Sequence, residues 1–187
     1  MSDRLPGFKG EYLWEFDIAE RQLLLLAGAF PDDQYGWCVG EASRTVSEIL
    51  VHIATGKFML LCVIGIETAP DLYGELPAEI TPRMLAMISI NDHLAGSVRK
   101  KATVIALLKR SLDATRAAFT NTSDAELERS VRFFGEQTTV RRVYLRALAH
   151  LHEHMGQLIA YARAVGLSAP WPDWRHGAKH LRPEHSA

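Results

Sequence analysis

Apolar residues recur every three or four positions along four separate stretches of the chain, and that period belongs to the α-helix. The first stretch, residues 9–30, carries Tyr12, Phe16, Ala19 and Leu23 at helical spacing and closes on Pro31, Asp32 and Asp33. The second opens on Thr45-Val46-Ser47-Glu48, a Thr-x-x-Glu capping box directly before an apolar run. It continues to Ile66, with Pro70 just beyond. The third, residues 102–120, presents Val104, Leu107, Leu108 and Leu112 as its apolar stripe. The fourth begins at Thr138 or Thr139 and ends at Val165 and Gly166, the glycine serving as C-cap.

The connections are unequal. Residues 67–101 read as a long crossover containing Pro70, Pro77 and Pro82. Within it Thr81 and Pro82 read as N-cap and first helical residue, so a short extra helix is expected over Met84 to Ile90. Ser123-Asp124-Ala125-Glu126 is a second capping box starting one or two turns, and the run Arg132 to Gly135 then turns the chain. The expected fold is all-α: a four-helix bundle over residues 1–167, with the long crossover between helices two and three. A C-terminal tail rich in Pro, Trp and His follows over residues 168–187. Bundles of this kind build metal sites in their core from facing helices.

Composition narrows the setting. With 187 residues, 48% hydrophobic and 23% charged, the chain suits one soluble domain with a single core. A net charge of −1 gives no electrostatic reason to expect nucleic acid or an anionic membrane as partner. Residues 49–66 are apolar almost all round and approach the length of a membrane span, but His52, Thr55 and Lys57 interrupt them. A helix buried at the centre of a soluble bundle accounts for the same pattern. Cys38 and Cys62 form no motif, and Cys62 reads as a buried thiol. The first residues lack the regions of a signal peptide, so a cytoplasmic location is expected.

The candidate chemistry lies in three histidines. His150 and His154 stand four apart, which on a helix places both imidazoles on one face, one turn apart, able to hold one ion. His52 interrupts the apolar run of the second helix. A third imidazole from a facing helix would close one side of the ion and leave the other open, the pattern of a catalytic metal site. Ala147, His150, His154, Gln157 and Tyr161 share a stripe flanked by Leu151, Leu158 and Ala162. Burying two imidazoles and an amide there without partners would be expensive. His152 lies about 200° around the helix from His150, and Glu153 about 100° from His154, so neither joins the pair. The run is also not the His-Glu-x-x-His motif of zinc proteases. Gln157 can orient a ligand histidine from behind. Gly156 fits a close helix–helix contact or a tolerated weak spot.

Other positions carry less. His93, after Asn91 and Asp92, reads as a solvated loop residue. Tyr12, Trp14 and Phe16 read as core. Trp171, Trp174 and His176 could fold over the bundle end as a lid, or dock without function.

The run His150-x-x-x-His154-Met155-Gly156-Gln157-Leu158 resembles the fourth-helix signature of the DinB/YfiT-like superfamily. Ser43 to His52 is similar to the family's second-helix signature, which ends on its first ligand histidine. Tyr161 to Gly166, followed by Ala169-Pro170-Trp171, is similar to its closing segment. Many members carry Arg where this chain has Met155. The resemblance implies a four-helix bundle holding a divalent ion, commonly nickel or zinc, on His52, His150 and His154. It also implies a homodimer and a small-molecule substrate. Relatives of that family include S-transferases using a low-molecular-weight thiol, a maleylpyruvate isomerase and metal-dependent hydrolases.

The first functional reading is therefore a metal-dependent, thiol-dependent S-transferase. The second is a hydrolase activating a bound water. The third is a non-catalytic metal-binding scaffold or sensor. An anionic thiol would require Arg or Lys near the site, and hydrolysis would require a general base within reach of bound water. Arg163, Lys57 and Glu48 are the sequence's candidates for such roles.

Overall fold

Helix α2 (Val46–Val63) is apolar on every face, and the rest of the chain is arranged to cover it. In this computed structural model, which describes residues 7–168 together with 170 and 171, α2 packs against three other long helices. Ile49, Leu50, Val51, Ile53 and Ala54 are wholly buried. The helix is long and apolar enough to cross a membrane, yet most of its surface lies inside the bundle. Its start is fixed by the capping box that the sequence announces. Thr45 Oγ1 accepts the Glu48 N–H at 3.3 Å, and the Glu48 carboxylate accepts the Thr45 N–H at 2.6 Å.

The three long helices packed against α2 are α5 (Lys101–Asn121), α4 (Ile80–Ser97) and α7 (Val140–Ala164), and α1 (Gly7–Ala29) closes the bundle against α5 and α7. Short helices α3 (Pro70–Tyr73) and α6 (Asp124–Leu127) sit in the connections. Phe16, Leu23 and Leu26 of α1 meet Leu108 and Leu112 of α5 and Leu151 and Leu158 of α7 in a core with no exposed surface. At one end the ring of Tyr12 stacks on Phe119 at 3.9 Å between centroids, and Phe119 meets Tyr144 edge-on at 4.8 Å. Helix α7 ends where Gly166 adopts φ 77° and Leu167 N–H returns to the Ala162 carbonyl at 2.8 Å. That is the glycine-dependent C-cap the sequence suggests.

The architecture is all-α at its core, as expected, and departs from the sequence-based expectation in the connections. The extra helix in the crossover is not the short piece over Met84 to Ile90. It begins at Ile80, two residues before Pro82, and runs on through Asn91 and Asp92 to Ser97. Proline is tolerated in a first helical turn, where its missing N–H has no partner to lose. The Asn91 side chain, which could have ended the helix, instead accepts the Tyr73 hydroxyl at 2.7 Å. His93 accordingly lies on α4, exposed, rather than in a loop. Between α6 and α7 the chain forms a two-stranded hairpin, β1 (Ser130–Phe133) with β2 (Glu136–Thr139), where the sequence suggests only a turn. Phe134 and Gly135 make its two-residue loop with φ 49° and 84°, the pair of positive values a type I′ turn requires. Ser123 caps α6 by accepting the Glu126 N–H at 3.1 Å. Tyr12 and Phe16 are core as expected, whereas Trp14 is half exposed. Trp171 packs partly buried against the core, and Trp174 and His176 fall outside the described residues.

One core position works against stability. Lys57 is 1% exposed, and its Nζ has no hydrogen-bond partner, lying 5.1 Å from the centre of the Phe16 ring. Burial lowers its pKa to about 7, an effect Glu20 only partly opposes. Replacing it with an apolar residue of similar length removes that desolvation cost. Lys57→Met is expected to raise stability by about 1–3 kcal/mol. A urea titration comparing the two proteins checks this, and an unchanged or lower midpoint would refute it.

Candidate metal centre

The two helices that carry the histidines cross at a glycine. His52 and Gly56 lie four apart on one face of α2, and the imidazole of His150 on α7 lies against Gly56. A Cβ built on Gly56 would stand 2.9 Å from His150 Cε1, closer than carbon atoms pack. Only glycine lets the ring rest on the α2 backbone. By contrast, Gly156 is exposed, with open space where its Cβ would be, so the close contact considered for it falls at Gly56 instead.

That crossing brings His52, His150 and His154 together. Their ring centroids are 4.9, 4.7 and 4.5 Å apart pairwise, and one ligand nitrogen from each lies within 4.8 Å of the others. The Nε2 atoms of His52 and His150 face each other at 3.0 Å, so one imidazole N–H donates to the other ring. Protonating both rings would set two cations against each other. Burial lowers the pKa of His52 to about 4, helped by the charges of Arg44 and His154 and partly opposed by Asp92. Burial likewise lowers His150 to about 3, with His154 and His52 next in effect and Arg146 and Lys57 adding to it. At neutral pH these two side chains are uncharged bases with their lone pairs available, the state a metal ion requires.

Supporting contacts fix the rings. His154 Nδ1–H donates to Gln157 Oε1 at 3.1 Å, leaving Nε2 for the centre of the cluster. Gln157 Nε2 donates to the Tyr161 hydroxyl at 3.4 Å, and that hydroxyl donates to the Arg44 carbonyl at 3.1 Å. Trp37 meets the Tyr161 ring edge-on at 5.2 Å. The relay thus runs from a ligand histidine to the residue just before the α2 cap. His150 Nδ1 is buried with no partner, while its Nε2 faces the centre of the cluster. Three imidazoles converging on one point, two of them held uncharged by burial, suit a divalent transition ion.

The remaining candidates lie apart. His152 turns outward to Glu15 at 3.4 Å, and Glu153 is held by a two-point ion pair with Arg146 at 2.6 and 2.7 Å. Glu48 is committed to the α2 cap and faces Arg99 at 3.7 Å. Arg163 is exposed at the end of α7, and Met155 packs into the core. A cavity of about 490 Å³ lies near the far end of α2, lined by Cys62, Thr68, Tyr73 and Arg83, and contains none of the three histidines. Sequence reasoning misses Gly56, although its four-residue spacing from His52 is visible there. It also misses Arg44, which only the Tyr161 contact brings into the site.

Two outcomes follow. His52→Ala and His150→Ala are each expected to abolish stoichiometric divalent metal binding, and Gly56→Ala to weaken it by roughly tenfold or more, by displacing the His150 ring. Competition titration with a chromophoric chelator measures all three, and parent-like affinity in either histidine variant would sink the centre. For the metal-free protein, both pKa values fall below the ordinary 6.5, so the unfolded chain binds more protons than the folded one as pH drops. Stability contributed here is present above pH 6.5 and is lost as pH falls towards 4 and below. Thermal melts between pH 7 and 4 should show a steeper decline in the parent than in His150→Ala, and equal slopes would refute the assignment.

Comparison with known proteins accords with this geometry. The sequence profile of the DinB superfamily matches residues 15–158. The fold is similar to the crystal structure of a DinB-like protein from Bacillus cereus, with 17% identity and a TM-score of 0.58 over 89% of this chain and 97% of that one. It is also similar to a DinB-like protein from Bacillus subtilis, with 20% identity and a TM-score of 0.54 over 88% and 96%. No curated protein matches. With a profile that spans most of its length and this bundle beneath it, the chain belongs to the DinB superfamily.

Proposed function

We propose that this protein is a metal-dependent enzyme whose centre is held by His52, His150 and His154, and that it transfers a small electrophilic group to a low-molecular-weight thiol. The observation that carries this reading is the convergence of three partly buried imidazoles with no carboxylate or thiol in their cluster. Such a set leaves the remaining positions of an ion to solvent or substrate. Nickel and zinc both suit it. A divalent ion bound there would lower the pKa of a coordinated thiol and present it as a nucleophile at neutral pH.

The chain's own residues do the rest. Burial keeps His52 and His150 uncharged, and Gln157 holds His154 in the tautomer that turns Nε2 inward. Gly56 seats the His150 ring. Tyr161, packed edge-on against Trp37, accepts the Gln157 amide that holds His154. Two carboxylates that would otherwise take a proton from water are engaged: Glu48 by the helix cap and Glu153 by Arg146. This favours a nucleophile that needs no base, since a thiol ionised at the ion loses its proton to solvent.

The hydrolase reading has one observation in its favour. The charge of Asp92, on α4, acts on His52, so one carboxylate is electrostatically coupled to the cluster. The two readings separate in one assay. Nickel- or zinc-loaded protein is mixed with a chromogenic aryl chloride and a panel of thiols, then with a chromogenic ester and no thiol. The expected result is thiol consumption that depends on metal and falls at least a hundredfold (about 2.7 kcal/mol) in His150→Ala. Ester hydrolysis without thiol, with no thiol transfer, would overturn the transferase reading in favour of the hydrolase.

A further inference from the structure

Three imidazoles are neutral ligands, so they leave the full charge of a divalent ion uncompensated. Acidic groups near the cluster do not make up the difference: Glu153, coupled to His150 and His154, is paired with Arg146, and Asp92 is the one carboxylate that acts on His52. Arg44 adds a further positive charge, which acts on His52 more strongly than that of Asp92. The site is therefore built for an anion.

Arg44 is placed to meet one. Its backbone is fixed from both sides: its carbonyl accepts the Tyr161 hydroxyl at 3.1 Å, and the next residue, Thr45, caps α2. The Tyr161 contact continues through Gln157 to His154, so the arginine is tied to a ligand ring by a chain of side-chain hydrogen bonds. Its guanidinium, in contrast, is exposed and forms no ion pair or hydrogen bond among the described residues. Arg83, Arg99, Arg110, Arg116 and Arg146 are all paired with carboxylates. A fixed backbone with an uncommitted fork of donors beside a metal cluster is an arrangement for planar, two-point recognition of a carboxylate.

We propose that Arg44 is a specificity-determining residue of this centre, holding a carboxylate on the small molecule whose donor atom occupies the open side of the ion. The preferred ligand class is thus a small anion with two negative groups, one for the ion and one for Arg44. This rests on the reading that the three histidines bind a divalent ion, and the test keeps the two apart.

Cobalt(II) is bound to the parent and to Arg44→Gln, and its visible absorption is followed during titration. Malonate is compared with acetate, and mercaptoacetate with 2-mercaptoethanol. The parent is expected to bind the carboxylate-bearing member of each pair about five- to tenfold more tightly, beyond the difference shown by free cobalt. Arg44→Gln is expected to lose that preference while retaining cobalt. Arg132→Gln, on the distant hairpin, should keep it. Raising the ionic strength should shrink it. Equal affinities within both pairs, or a preference that survives in Arg44→Gln, would overturn the assignment and leave the metal centre standing. Absence of a thiolate-to-cobalt band with either thiol would sink the transferase reading alone, because the malonate and acetate pair still reports on Arg44. Failure of the parent to bind cobalt would overturn the centre and this assignment together.

Discussion

The crossing of α2 over α7 at Gly56 is the contact on which the centre depends. Without a side chain at that position, the His150 ring can lie against the backbone of α2, with a would-be Cβ position 2.9 Å away. This brings His150 Nε2 within 3.0 Å of His52 Nε2. Any larger residue would hold the helices apart or turn the ring aside, and the three nitrogens would no longer share a centre. The constraint also explains the electrostatics. Rings pressed this close inside a bundle cannot all be protonated, and burial with mutual repulsion keeps His52 and His150 neutral.

Helical periodicity alone makes part of this arrangement legible in the sequence. It sets His150 and His154 on one face and turns His152 and Glu153 away. The Thr45 capping box and the Gly166 C-cap are local signals, and both hold. The features that stay hidden depend on contacts between distant segments. Helix α4 outlasts Asn91 because a tyrosine from α3 satisfies the asparagine, an override of local preference by tertiary structure. The hairpin before α7 turns on Phe134, a residue type that rarely adopts a positive φ, so its short strands resemble a plain turn. Of the two glycines near the candidate ligands, spacing points equally to either. Only packing shows that Gly56 carries the close approach and Gly156 faces open space.

The residues around the triad differ in exposure. Gly56, Lys57 and the unpartnered His150 Nδ1 are buried. Arg44 and Asp92, whose charges act on His52, are exposed, and Arg44 joins the relay through the buried Tyr161.

Lys57 sharpens that distinction. A fully buried amine with no partner lowers stability, and α2 would pack as well with methionine there. Its charge also reaches His150, adding to the repulsion that keeps the imidazole unprotonated. The cationic groups acting on the triad thus include Arg146 and the buried Lys57 at His150 and the exposed Arg44 at His52, and all oppose protonation of the rings. They would equally oppose the binding of a bare cation. An ion held here would bind best together with an anion, and the two affinities would then be coupled, each strengthening the other by the same factor.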